Sequence, residues 1–170
     1  MIDESIKIVL EERGDLDFKP LYTLMEESGL EFKNQRLRQV LGVATYSGIF
    51  LDMEKFRNYT DDSKFFVILH EIAHGKRIKK FGKKWVIGRL SLEDFDEFVA
   101  GIIHEEILAD RYASYVLFKL TGYSFPRQMT QQLHFPEKQE DYKRLIRPLF
   151  GMVKYSEEKY DQLFKQYLIL

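Results

Sequence analysis

His70 and His74 stand four residues apart, with Glu71 directly after the first, in the run His70-Glu71-Ile72-Ala73-His74. On an α-helix that spacing leaves the two imidazoles about 40° apart around the axis and about 6 Å apart along it, so both can reach one cation. Glu71 follows about 100° further round, beside such a cation, where its carboxylate can take a proton from an attacking water. The pattern is HExxH, and chance would place it in a chain of this length on the order of half a percent of the time. It uses two of only four histidines, and it lies in a strongly apolar stretch where unpartnered imidazoles would cost desolvation energy. The chemistry predicted is zinc-assisted hydrolysis of a peptide bond.

A catalytic zinc usually takes three protein ligands and leaves a fourth position for water. With no cysteine in the chain, the third ligand must be a histidine or a carboxylate. The extended metzincin pattern would need glycine at 77 and histidine at 80, where this chain has Arg77 and Lys80. Downstream, Glu106-Ile107-Leu108-Ala109-Asp110 offers two carboxylates four apart on one helical face, the arrangement of gluzincins. Glu106 is expected to bind the metal and Asp110 to steady a ligand histidine from behind. Ala109 and Ala113 would let that helix approach the motif helix closely. Glu105 and His104 compete for the ligand role, although His104 lies about 200° round the helix from Glu106. His134 could donate to a developing oxyanion, as could Tyr46, Tyr112 or Tyr115; a solvent-exposed His134 and packed tyrosines are the simpler expectation, and that role stays open.

The elements that must hold these residues are legible in outline. The chain has 170 residues, 45% hydrophobic and 15% aromatic, enough apolar surface for a single domain spanning 1–170. Its 26 basic side chains nearly balance 27 acidic ones, so no strong field favours nucleic acid or anionic lipid, and no direct nucleic-acid binding is expected. The first ten residues lack the basic start and apolar stretch of a signal peptide, and no apolar run approaches the length of a membrane span. A cytoplasmic protein is expected.

Helical spacing covers residues 3–12 and 20–28, each closed near a glycine, Gly14 and Gly29. Leu37 to Ala44 and Gly48 to Met53 are rich in Val, Ile, Phe and Tyr around Tyr46-Ser47-Gly48, which predicts a β-hairpin. Thr60-Asp61-Asp62-Ser63 then supplies capping oxygens and two carboxylates, so a helix should begin there and run through His74 to about Lys80, stopped by Gly82. Its apolar positions go most of the way round, which predicts a central helix. Ser91 to Leu120 is expected to be helical with a kink near Gly101, ending at Thr121-Gly122. A proline-flanked connection from Phe125 to Pro136 and helices near 137–147 and 156–169 complete the reading. The fold class is α+β: zincin-like, mainly helical, with a small antiparallel sheet beside the motif helix.

Ile68-Leu69-His70-Glu71-Ile72-Ala73-His74 and Glu106-Ile107-Leu108-Ala109-Asp110-Arg111-Tyr112-Ala113 resemble the two signatures of the ImmA/IrrE-type metallopeptidases, and Gly48-Ile49-Phe50-Leu51-Asp52 is similar to the strand that precedes them. The resemblance covers roughly residues 40–120. It implies zinc held by His70, His74 and Glu106, Glu71 as catalytic base, and cleavage of intracellular regulatory proteins such as helix-turn-helix repressors. The chain departs from that pattern in its long insert between the signatures, its aromatic tail, and the lack of a recognisable DNA-binding region before them. The competing reading is a zinc-binding regulatory protein that acts by holding a partner and cleaves little; the intact Glu71 argues against it. A structural zinc site is disfavoured because such sites are typically closed by four protein ligands.

Overall fold

A computed structural model describes residues 1–12, 14–37, 40–81 and 109–122. The chain is α+β. In order it forms α1 (Glu4–Glu11), α2 (Lys19–Glu27), β1 (Phe32–Asn34), β2 (Gly42–Thr45), β3 (Gly48–Leu51), α3 (Met53–Phe56) and α4 (Asp61–Phe81). A further helix, α5, occupies 109–121 of the described residues.

Both short amino-terminal helices form where their spacing predicts. Asp3 caps α1, its Oδ1 accepting the Ser5 amide at 2.9 Å, and Ile6, Val9 and Leu10 turn inward together. Pro20 opens α2, Leu21 and Met25 are its buried face, and Gly29 ends it at φ 62, a left-handed conformation that favours glycine.

The sheet differs from the expected hairpin in two ways. Its strand order is β1-β3-β2, with β2 antiparallel to β3 but β1 parallel to it, so the sheet is mixed and not antiparallel throughout. The hairpin strands are also shorter than predicted: residues 37 and 40–41 precede β2 as irregular chain, and Met53 belongs to α3. Asp52 explains both limits. Buried and 2% exposed, it caps α3 by accepting the Lys55 amide at 3.3 Å and accepts the Leu37 amide at 2.8 Å, while Lys55 Nζ donates to the Leu37 and Val40 carbonyls. Leu37 and Val40 thus give backbone polar groups to this staple instead of a strand ladder. Burial by itself would raise the Asp52 pKa, but the Leu37 and Lys55 amides and the Lys55 charge outweigh it and hold the carboxyl below its ordinary value.

β1 brings the amino terminus into the sheet. The Phe32 amide donates to the Met1 carbonyl at 2.9 Å and the Asp3 amide to the Phe32 carbonyl at 3.0 Å, which covers the outer side of β1. Among the described residues no strand lies beyond the outer side of β2.

α4 begins where predicted and is the central element. From Lys64 to Gly75 every residue is buried or half-buried. Phe65, Ile68, Leu69 and Ile72 are 0% exposed and join Phe32, Ile49, Leu51 and Phe56 in one core. Near its start Lys64 is buried and pairs with Asp61 at 3.2 Å, and Asp61 also accepts the Leu16 amide at 3.3 Å. α5 ends at Gly122, whose φ is 73, and its Ala109, Ala113 and Leu117 are fully buried. Among the described residues no helix is long and apolar enough to cross a membrane. The expected kink near Gly101, the connection 125–136 and the helices near 137–147 and 156–169 lie outside the described residues.

Candidate metal and hydrolytic site

The apolar sides of α4 fix its axial rotation, and that rotation places the motif. His70 and His74 lie one turn apart with Nε2 of one 3.0 Å from Nε2 of the other, their rings 4.6 Å apart and steeply inclined. α5 meets them from across the core. Its fully buried Ala109 and Ala113 have no side chain beyond Cβ to hold the helices apart, and Asp110 reaches His70 Nδ1 at 2.8 Å.

A carboxylate that accepts here leaves the Nδ1–H of His70 as the donor to Asp110 Oδ1, the tautomer this contact favours. In the neutral ring that leaves the lone pair on Nε2, the atom facing His74. A carboxylate behind an imidazole in this way fixes its tautomer and ring orientation and raises its basicity as a ligand. Two nitrogens bonded to one tetrahedral zinc at roughly 2.0–2.1 Å lie about 3.4 Å apart. The observed 3.0 Å is a few tenths less. The donor set, neutral imidazole nitrogens without thiolate, suits zinc. Among the described residues no group of three His, Cys, Asp or Glu side chains gathers to hold a metal. No known family model, curated protein or solved structure matches the chain.

Glu71 leaves α4 in the direction of the sheet. It is 8% exposed, and its Cγ and Cδ lie over Gly42, the first residue of β2, which packs against α4. The carboxylate next to the imidazole pair thus rests against the strand whose outer side has no described neighbour. On the side of α5, Lys76 Nζ donates to the Tyr112 hydroxyl at 3.3 Å and lies 5.5 Å from the ring centre, a second tie between the helices two residues beyond His74.

Of the residues singled out by sequence, His70, His74 and Asp110 are brought together, and Glu71 is on the same helix facing β2. Glu106, His104, Glu105 and His134 lie outside the described residues. Tyr46 sits in the hairpin turn and is 52% exposed; Tyr115 is 63% exposed, with Lys119 5.7 Å over its ring. Tyr112 has its hydroxyl engaged by Lys76. Sequence reasoning did not single out Gly42 or Lys76. The hint of the first was its place inside the run Leu37 to Ala44, because glycine inside a strand pattern often marks close approach of another group.

Proposed function

We propose that this chain is a zinc-dependent metallopeptidase of the ImmA/IrrE type, acting on an extended segment of an intracellular regulatory protein. The observation that carries the reading is the pairing of two imidazole Nε2 atoms 3.0 Å apart, one of them oriented by a buried carboxylate on a second helix. His70 and His74 would hold the ion, with Glu106 as the third ligand on the strength of its spacing from Asp110. Zinc bound there supplies a Lewis acid that polarises the scissile carbonyl and lowers the pKa of water towards neutrality. Asp110 keeps the proton of His70 on Nδ1, so that Nε2 remains a donor of electrons. Glu71 accepts the proton of the attacking water and returns it to the leaving amide nitrogen. The outer side of β2 offers backbone groups to which a peptide can add as a further strand, beside the Glu71 side chain. Neither the near-neutral charge of the chain nor its residues at the site favour nucleic acid as a substrate.

The test is hydrolysis of dye-labelled casein, an unfolded-protein probe, by wild type and by Glu71→Gln, each with its zinc content measured. The expected result is chelator-sensitive cleavage by wild type and a loss of about 10² to 10⁴ in Glu71→Gln, with zinc retained. A zinc-loaded wild type no faster than Glu71→Gln would remove the enzyme and leave a zinc-dependent binding protein.

A further inference from the structure

We infer that Gly42 is a positioning residue for Glu71: the missing side chain at the head of β2 is the space in which the Glu71 side chain is held. The inference rests on the metallopeptidase reading for its catalytic consequence, but the contact behind it does not.

Gly42 has no backbone reason to be glycine. Its φ is not among the positive values, which fall at Gly29, Gly48 and Gly122 among the described residues. The reason is space. A Cβ at position 42 would lie 2.8 Å from Glu71 Cγ, 3.4 Å from Glu71 Cδ and 3.0 Å from Leu51 Cδ2. The two nearest contacts fall well inside the roughly 3.5–4.0 Å at which carbon atoms rest. Leu51 is the register partner of Gly42, 0% exposed and locked in the core, so it has little room to give. The strand is also restrained from backing away. The Asp52 amide donates to the Leu41 carbonyl at 2.8 Å, and Lys55 Nζ donates to the Val40 carbonyl at 3.3 Å, both immediately before Gly42. Displacement therefore falls on Glu71, which is 8% exposed and bordered by this strand. Misplacing a reacting group by about 1 Å can cost on the order of 10² in rate. Substituting Gly42 should leave the imidazole pair in place, because the three nearest contacts of the added Cβ are all with Glu71 and Leu51.

Two measurements on Gly42→Ala decide this. The first is a double-mutant cycle on the metal-free protein, reading the urea midpoint of Gly42→Ala in wild type and in Glu71→Ala. The fall should be clearly larger in wild type, or the variant should fold only with Glu71 shortened; equal shifts in both backgrounds would overturn the inference. The second uses zinc-loaded protein and an internally quenched peptide built around a wild-type casein cleavage site. Gly42→Ala should keep one zinc and a KM within about twofold of wild type while kcat drops roughly 10- to 100-fold. Unchanged kcat in a coupled pair would overturn the positioning role with the enzyme intact. Wild type that neither binds zinc nor cleaves casein would instead overturn the reading of the site, whatever the stability cycle shows.

Discussion

Two polar clusters among the described residues are built on opposite plans. At Asp52 and Lys55 the charged groups are satisfied largely by backbone: the carboxylate takes the amides of Leu37 and Lys55, and the ammonium reaches the carbonyls of Leu37 and Val40 as well as the carboxylate at 3.5 Å. That cluster closes a loop. At His70, His74 and Asp110 side chains on two helices 40 residues apart meet one another, and the Nε2 atoms of the two rings face each other at 3.0 Å. The first arrangement determines where the chain goes; the second gathers two ring nitrogens, the kind of donor that the proposed cation would use. Burial of polar groups alone therefore does not mark a functional site. What distinguishes the proposed site is convergence of donors of one kind, with a carboxylate behind one of them.

The comparison can be broken most decisively at His74. His74→Ala should abolish stoichiometric zinc binding and reduce casein cleavage by at least about 10³, read by metal analysis and initial rates, since one imidazole cannot replace two. Asp110→Asn sharpens the role of the oriented ring: zinc affinity should fall roughly 10- to 100-fold in a competition titration, with the fold retained. A smaller effect, and one on stability alone, is expected at the other cluster. Asp52→Asn should cost about 1.5–3 kcal/mol in urea unfolding, the scale of hydrogen bonds to a charged group, without weakening zinc.

Asp52 also predicts a pH dependence. Its folded-state carboxyl is held below the ordinary value of 3.8, so its contribution is complete above that value and is lost as pH falls through the lower folded value. Wild type should therefore lose stability relative to Asp52→Asn on acidification through that range, and unfolding midpoints measured down the acid limb will show whether the two curves converge.

Much of the site was legible because helical spacing is local. Positions 70 and 74 share a face on any helix, and the capping run at Thr60 to Ser63 announced that helix before its apolar body began. The approach of α5 could be anticipated from Ala109 and Ala113, and both are fully buried. The sheet was harder to read. β1 is three residues, Phe32-Lys33-Asn34, with one buried side chain, and its place is set by pairing with the distant Ile49 to Leu51 and by the amino terminus. No period can emerge from so short a strand, and a parallel partner leaves no turn signal between neighbours. The staple at Asp52 was invisible for a related reason: it shortens the predicted strand through side-chain bonds to backbone 15 and 18 residues away, which no local pattern encodes.

His70 and His74 are proposed to share one divalent ion. Native mass spectrometry of the purified chain titrated with zinc addresses it directly: wild type should take up one ion per chain and His74→Ala none at the same concentration. Wild type that stays metal-free, or His74→Ala that loads as well as wild type, would contradict the account.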